Sequence, residues 1–241
     1  FWRQSNHLVH GEMVWDAARD AGWLPSHVEA VHVSIGNVLG ADRKMLRTRS
    51  GSPPRLNDLI DEAIGAAREA MDEDRRELDD STKQAIAPII GVGAIKYADL
   101  SVAHNSEYVF DLKRMVNLHG NTSRYLQYAV ARIRSILRSA DDELREPAGN
   151  VELLEPAERA LGLKLLDFSD VLHDVALHLE PHRLCAYLFE LAQTFSIFYE
   201  KCPVLNAIPS LRNSRLVLCD QARDTLVTGL DLLGIGIPEV M

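Results

Sequence analysis

The feature that most constrains this chain is a helical spacing of apolar residues through its last two-thirds. From about residue 81, apolar side chains return every three or four positions, an interval that places them on one face of an α-helix. No strand pattern of any length follows residue 100, apart from EYVFDL near residue 110. The longest helical segment, residues 182–200, carries Leu184, Leu188, Leu191 and Phe195 on its apolar face. We therefore expect a helical bundle over residues 79–241.

Local signals also predict where these helices begin and end. Ser81 or Thr82 can cap the first one, and Thr122 or Ser123 can open the next. The segment LGIGIP ends the last helix, because its glycines and proline disfavour helical backbone. Further helices are expected over about 155–166, 169–179, 182–200 and 213–232.

The first 78 residues have a different character. Helical spacing over residues 7–21 ends at Gly22, and a short alternating strand follows over residues 31–35. A long acidic helix with one apolar stripe is then expected over residues 56–71. One helix and one strand at a chain end indicate the tail of an α/β unit rather than a complete one. The predicted fold is mainly α, a helical bundle preceded over residues 1–78 by a small α/β remnant.

The chain is acidic overall, with a formal net charge of −9. The acid is concentrated in residues 61–80, whereas arginine and lysine crowd residues 43–55 and arginine crowds residues 124–138. RNA binding needs local cations rather than a positive total, so the net charge decides nothing by itself. No apolar run approaches membrane-spanning length, and we expect a soluble, cytoplasmic protein.

The cysteines and histidines give no sign of a metal site. Cys185, Cys202 and Cys219 are odd in number and form no CxxC pair, which disfavours both a disulfide framework and a zinc site. We expect three reduced thiols. His119 and His182 have no partners at metal-ligand spacing and are interpreted as structural.

Two tyrosines in one helix leave two interpretations open. Tyr125 and Tyr128 lie three apart and share a helix face, with Arg124, Gln127 and Arg132 nearby. Aromatic rings beside cations hold unpaired bases of RNA, and polar neighbours favour a partly wet face. Aromatic residues at helical spacing, however, more often pack inside a core. Arg132 can equally pair with an acidic side chain of a neighbouring helix.

Long blocks of the chain resemble a known family. Residues 91–137 contain GVGAIKYADLS and GNTSRYLQYAVARI, and resemble a signature region of arginyl-tRNA synthetases. Residues 179–205 and 215–241 are similar to the same family's helical anticodon-binding domain. Several blocks in the family's order are more specific than one short motif. The resemblance implies that residues 1–78 end a class I, Rossmann-type catalytic domain, and that residues 79–241 form an all-helical anticodon-binding domain.

The resemblance also assigns a role to the basic segment ADRKMLRTRSG, residues 41–51, which on its own residues is most often plain solvated loop. It corresponds to the ATP-site signature loop of class I synthetases. Arg43 stands where glycine is usual in the family, and Arg47 where lysine is usual. A cation near the triphosphate offsets the charge that develops as pyrophosphate leaves, and either side chain supplies one with its own geometry. The implied ATP-facing catalytic residues are Lys44, Arg47 and Arg49, with Ser50 and Gly51 shaping the loop.

Substrate and tRNA contacts are implied as well. Gln4, in FWRQSNH, matches a glutamine that contacts the arginine substrate, and its amide oxygen can accept from a guanidinium. On its own residues, a polar loop position is the commoner interpretation of Gln4. The implied ligands are tRNA(Arg), L-arginine and ATP with Mg²⁺, with no tightly bound cofactor, on a monomer. The expected anticodon contacts are Tyr125, Tyr128, Arg132, Tyr199 and Met241.

The family's HIGH-like segment, its acidic pocket for the substrate guanidinium and its amino-terminal tRNA-elbow domain have no counterpart in these 241 residues. Without them a chain cannot close an ATP site or hold both reactants in line. We therefore predict that this chain alone does not aminoacylate. The first residue is Phe1 and not an initiator methionine, and we expect the chain to be a piece of the full ligase. The alternative is a natural truncated relative that binds tRNA without catalysis. A helical interaction domain without any RNA role is the third hypothesis.

Overall fold

The computed structural model describes residues 2–4, 7–40, 43–44, 55–74, 78–140 and 151–241, with the backbone alone for residues 2–4. The strands are β1 (Trp2–Gln4), β2 (Val33–Ile35), β3 (Val38–Leu39) and β4 (Tyr108–Val109). The helices are α1 (Leu8–Asp20), α2 (Leu56–Asp72), α3 (Asp80–Leu100), α4 (Leu112–Met115), α5 (Ser123–Ser139), α6 (Pro156–Leu166), α7 (Phe168–His178), α8 (Pro181–Lys201) and α9 (Pro209–Leu232). The predicted mainly α fold with a small α/β part is confirmed.

Contacts along the chain form two compact units. Unit one consists of Phe1–Pro53 and Val102–Asp111, and unit two of Pro54–Ser101 and Leu112–Met241. Helix α2 packs against α3 and so belongs to unit two in space. The predicted domain boundary between residues 78 and 79 concerns a different division, along the chain, and stays a prediction.

Unit one contains two short parallel strand pairs and helix α1. Strand β1 pairs with β2, with Gln4 opposite Ile35, and β3 pairs with β4. Gly22 ends α1 with a φ of 73°, in the left-handed region that glycine enters readily, as its position predicts. Gly36 is required for a different reason, since a Cβ there would lie 2.1 Å from the carbonyl oxygen of Ser106. That close approach lets the Gly36 N–H donate to the carbonyl of His104 at 2.7 Å.

The core of unit two lies where α5, α8 and α9 meet, with α3 and α6 packed around them. Its largest buried side chains come from all three central helices and include Leu126, Ile133, Leu188, Phe195 and Leu226, each at most 1% exposed. Burying a side chain of this size contributes about 1.5–3 kcal/mol. The periodic apolar residues of the sequence therefore meet in one continuous core.

Helices α2 and α3 approach each other closely through small residues. Ala63 and Ala67 of α2 have no exposed surface, and Gly91 of α3 faces them. A Cβ at Gly91 would lie 2.8 Å from the backbone carbonyl carbon and oxygen of Ala63. Any side chain at position 91 would therefore force the two helices apart.

The first turns of α3 and α5 show one correction to the expected caps. Thr122 caps α5, because its hydroxyl accepts from the Tyr125 N–H at 3.2 Å. The prediction that Ser81 or Thr82 caps α3 is wrong. Asp79 is the N-cap, accepting from the Thr82 N–H at 2.9 Å. The hydroxyls of Ser81 and Thr82 also donate to that carboxylate and lower the pKa of Asp79 well below its usual range.

The three cysteines, Cys185, Cys202 and Cys219, are buried in unit two. Burial raises the pKa of the Cys185 thiol to about 12 and that of Cys219 to about 12. Because the thiolate is the reactive form, these side chains behave as small apolar residues at neutral pH.

Among the residues that the structure describes, no helix has both the length and the apolar composition needed to cross a bilayer.

Candidate functional site

A pocket of about 460 Å³ opens in unit two where the carboxyl end of α2, the first turns of α5 and residue 241 meet. Its walls mix apolar side chains with two carboxylates, a histidine, a guanidinium and a phenol. The lining residues are Met71, Glu73, Asp74, Leu78, Leu118, His119, Arg124, Tyr128 and Met241. Such a mixture of apolar wall and few polar groups suits a partly polar ligand.

Arg124 forms hydrogen bonds and an ion pair with the segments that line this pocket. Its Nη1 donates to the carbonyl of Val116 at 3.1 Å, and its Nη2 to the carbonyl of Ala70 at 3.3 Å. Nη2 also pairs with Oδ2 of Asp74 at 2.5 Å. Burial lowers the pKa of Arg124 while the Asp74 carboxylate opposes that shift, and the guanidinium remains charged. One side chain thus joins α5 to α2 and to the segment after α4.

The interpretation of Arg124 and Gln127 as polar neighbours on a wet face is wrong. Arg124 is 2% exposed and Gln127 has no exposed surface. Their polar atoms serve the fold instead, Arg124 through the contacts above and Gln127 through a 2.7 Å hydrogen bond from its Nε2 to the carbonyl of Gly236. Sequence spacing alone places these residues beside the tyrosines but does not say which neighbouring segment covers them.

Tyr125 and Tyr128 share a helix face but have different surroundings. Tyr128 is half-buried and lines the pocket together with Met241. Tyr125 is also half-buried, but its ring packs edge-on against Phe189 of α8, with centroids 5.5 Å apart. Tyr125 therefore packs at the edge of the core, and Tyr128 lines the pocket. The expected anticodon contact of each stays a prediction.

Arg132 and Tyr199 form a second surface feature, between α5 and α8. The guanidinium carbon of Arg132 lies 4.4 Å from the centroid of the Tyr199 ring, a cation–π distance. The ring of Tyr199 in turn stacks on Phe195, with centroids 6.2 Å apart. The sequence left open whether Arg132 lies beside aromatic rings or pairs with an acidic side chain. Within the described residues, this contact with the Tyr199 ring favours the first interpretation.

The predicted catalytic side chains lie almost entirely outside the described residues. This holds for Arg47, Arg49, Ser50 and Gly51, and Gln4 is described by its backbone alone, in β1. Lys44 is described, and its carbonyl accepts from the Gly40 N–H at 2.8 Å in a turn. Arg43 has a φ of 56° in that turn, in the left-handed region. This backbone explains physically why glycine suits position 43.

Two elements of the resemblance, KYADLS and GNT, meet inside unit two. The hydroxyl of Tyr97 lies 2.5 Å from Oδ1 of Asn121 and 3.0 Å from the carbonyl oxygen of Cys185, and its single hydrogen is donated between these two acceptors. Tyr97 is 1% exposed, and burial raises the pKa of its phenol far above the usual range. The buried Tyr97 hydroxyl thus links α3 to the start of α5 and to α8.

Comparisons with known proteins cover nearly the whole chain. The sequence model of the class I (R) tRNA synthetase catalytic domain matches residues 2–112, and that of the DALR anticodon binding domain matches residues 126–241. An arginine–tRNA ligase of Thermobifida fusca is 56% identical over 234 residues, which is 97% of this chain and 40% of that protein. One of Frankia casuarinae is 50% identical over 98% of this chain and 40% of its own length. The chain belongs to the arginyl-tRNA synthetase family.

Solved structures of this synthetase family agree with the fold. An arginyl-tRNA synthetase of Thermus thermophilus superposes with a TM-score of 0.86 at 32% identity, over all of this chain and 40% of that one. That of Plasmodium falciparum gives 0.79 at 29% identity, with the same coverage. The chain thus spans about 40% of the length of the relatives it matches. The pocket draws Met71, Glu73 and Asp74 from the part matching the catalytic-domain model, and Tyr128 and Met241 from the part matching the DALR model.

Several lining residues were not predicted from the sequence, namely Met71, Glu73, Asp74, Leu78 and Leu118. Met71 lies in the last turn of α2, and the others follow α2 or precede α5. Asp74 is separated from Arg124 by 50 residues, and no local spacing connects these positions. His119, interpreted as structural, also lines the pocket. These positions come together only in three dimensions, where Arg124 of α5 contacts Ala70 and Asp74 at the end of α2.

Proposed function

We propose that this chain supplies the anticodon-binding surface and the ATP-site signature loop of an arginine–tRNA ligase. The proposed overall reaction has two steps: L-arginine and ATP, with Mg²⁺, form arginyl-adenylate and pyrophosphate, and the arginyl group then passes to the end of tRNA(Arg). The observation that carries the proposal is the pocket lined by Tyr128 and Met241, within a chain of this synthetase family.

The pocket suits an unpaired nucleotide base. Unpaired bases are held by stacking on aromatic and apolar groups, which contributes about 1–3 kcal/mol per base. Tyr128, Met241 and Leu118 offer such surfaces at the pocket wall. The Asp74 carboxylate is already paired with Arg124, and the Glu73 carboxylate accepts hydrogen bonds and repels phosphate, so we propose that the base enters here and not the phosphate.

The neighbouring cation is proposed to meet the RNA backbone. Arg132 is half-buried on the Tyr199 ring, which holds its charge in a fixed place on the surface. A guanidinium presents five donors, a geometry that matches phosphate oxygens. Arg132 therefore positions the RNA, and Tyr128 with Met241 receives a base.

The catalytic assignments follow from the family. Lys44, Arg47 and Arg49 are proposed to contact the triphosphate, with Ser50 and Gly51 shaping the loop and Gln4 contacting L-arginine. The charge of the leaving pyrophosphate is what these cations stabilise. Because the chain spans about 40% of its relatives, we propose that it does not aminoacylate alone. We also propose that the protein is a monomer and lies in the cytoplasm.

Binding of two tRNA transcripts tests the RNA role. We expect the chain to bind an arginine tRNA transcript more tightly than the same transcript with a replaced anticodon. Tyr128→Ala should weaken the first interaction about tenfold, at 1.4 kcal/mol per factor of ten, and leave the second unchanged. Trp23→Ala is the matched control, because Trp23 is 84% exposed and does not line the pocket.

Equal affinity of the unaltered chain for both transcripts would contradict anticodon binding. Strong destabilisation by Tyr128→Ala with unchanged affinity would instead assign Tyr128 to the core. Aminoacylation by the 241-residue chain itself would show that the proposed dependence on missing elements is wrong. Without aminoacylation, the upstream reading frame separates a piece of the ligase from the alternative, a natural truncated tRNA-binding relative.

A further inference from the structure

Residues 234–241, which follow α9 and are called here the latch segment, are fastened by side chains of two other helices. The carbonyl of Gly234 accepts from Nζ of Lys96 at 2.5 Å, and the carbonyl of Gly236 accepts from Nε2 of Gln127 at 2.7 Å. The carbonyl of Pro238 accepts from Nη1 of Arg134 at 3.1 Å. The accepting carbonyls belong to every second residue from 234 to 238.

The packing around these hydrogen bonds leaves little room for another arrangement. Ile235, between the first two accepting carbonyls, is 3% exposed and belongs to the core of unit two. A Cβ at Gly93 of α3 would lie 3.1 Å from Nε2 of Gln127 and 3.2 Å from Cγ2 of Ile235. Glycine at position 93 therefore makes the space in which the Gln127 amide reaches the latch segment.

The hydrogen bond to Gly236 is the side-chain hydrogen bond that the buried Gln127 amide makes within the described residues. Gln127 has no exposed surface, and its Oε1 has no hydrogen-bond partner within the described part of the chain. A buried amide normally satisfies both ends, and leaving a buried acceptor unpaired costs about 1–3 kcal/mol. The orientation that donates to Gly236 is the one that the structure adopts.

We infer that Gln127, Arg134 and Lys96 are positioning residues that hold the latch segment so that Met241 completes the wall of the pocket. The inference rests on the proposed function, because it assigns these residues to the same RNA site. Helix α5 then supplies two parts of that site: Tyr128 lines the pocket directly, while Gln127, the preceding residue, fastens the segment that ends in Met241. None of the three positioning residues lines the pocket itself.

Gln127→Met tests the central contact, because methionine has a similar length and volume but no donor. The 241-residue chain, labelled with ¹³C at its methionine methyl groups, gives five resonances, and Met241→Leu identifies that of Met241. In Gln127→Met we expect the Met241 resonance to move and narrow as the segment loosens. The remaining native methionine resonances should stay in place apart from Met71, which lines the same pocket.

RNA binding supplies the second measurement. Gln127→Met should weaken binding of the arginine tRNA transcript about fivefold, the factor that corresponds to one lost hydrogen bond. Binding of the anticodon-replaced transcript should not change. Arg134→Met should act in the same direction, and Arg134→Lys should restore binding because it keeps a donor for Pro238. Arg159→Met is the charge control, since Arg159 is exposed on α6 and does not line the pocket.

The outcomes separate this inference from the proposed function. An unchanged Met241 resonance together with unchanged transcript discrimination in Gln127→Met and Arg134→Met would overturn the latch, even if the melting temperature fell. If Gln127→Met fails to fold, Arg134→Met and Arg134→Lys test the inference instead, through the Met241 methyl resonance and the binding of the two transcripts. If the unaltered chain does not discriminate between transcripts, the proposed function fails, and the methyl resonance still decides whether these residues position Met241.

Discussion

The two compact units bury their apolar residues to very different degrees. Helix α8 of unit two has eight buried residues, whereas α1 of unit one has none. In α1, Leu8 is 38% and Val14 51% exposed, although both lie on the face that helical spacing predicts to be apolar. Similar helical spacing therefore has different energetic meaning in the two units. Unit two gains stability from a continuous core, and unit one presents apolar surface that no described residue of its own covers.

The largest expected effect comes from the buried ion pair of unit two. The side chain of Glu158 has no exposed surface and that of Arg215 is 8% exposed, with Nε and Oε1 2.6 Å apart. Glu158→Ala leaves an uncompensated buried cation and should lower the free energy of unfolding by about 3–5 kcal/mol, measured by denaturant titration. Glu190→Ala, which removes the exposed partner of Lys164, should change it by less than about 1 kcal/mol. A loss of less than about 1 kcal/mol for Glu158→Ala would contradict the role of this buried ion pair in the stability of unit two.

The same carboxylate predicts a pH dependence. Burial alone would raise the pKa of Glu158, but hydrogen bonds from the Glu155 N–H and from Arg215 outweigh it, and the pKa is lowered from 4.5. A lowered folded-state pKa stabilises the fold above pH 4.5, and this contribution is lost as the pH falls through the folded value. We expect the unfolding free energy of unit two to fall below pH 4.5, with a shallower fall in Glu158→Gln. Equal slopes in both proteins would assign the acid sensitivity to other groups.

Two helical glycines sharpen the contrast in packing. A Cβ at Gly229 of α9 would lie 2.4 Å from Cδ2 of Leu188, which has no exposed surface and could make room only by moving other core side chains. Gly229→Ala should therefore destabilise unit two by about 1–3 kcal/mol. A Cβ at Gly11 of α1 meets only the ring of Trp15 and His32 at 3.7 Å or more, so Gly11→Ala should favour the helix by about 0.5–1 kcal/mol. Thermal unfolding of both variants checks the opposite signs.

The smallest expected change concerns the turn at Arg43 in unit one. Arg43 adopts a φ of 56°, which costs a side-chain-bearing residue about 1–2 kcal/mol relative to glycine. Arg43→Gly should recover part of this locally, offset by the larger entropy of glycine in the unfolded chain. Hydrogen exchange of the Arg43 amide, which donates to Gly40 at 2.8 Å, should slow about twofold to fivefold. Arg43→Ala is the control, and slowing in both variants would point to loss of charge instead.

The helices were predictable because their signals are local. The spacing over 182–200 and 213–232 matches α8 and α9 to within a few residues, since three- and four-residue intervals define a helix face without any partner. The cap of α3 was missed, because Asp79, Ser81 and Thr82 are all good N-cap residues and only backbone geometry selects among them. The resemblance of residues 91–137 is carried in part by core positions such as Tyr97.

By itself, the sequence determined the helical class, most helix boundaries and membership of the synthetase family, since these depend on short-range spacing and on the identity of residues in order. Only the tertiary structure decided what each polar or aromatic side chain does. Tyr125 and Tyr128 differ by a small rotation about one helix, yet one packs on Phe189 and the other lines a pocket. Arg124 meets Asp74 across 50 residues of chain. Burial is set by which distant segment covers a face, and no local pattern contains that information.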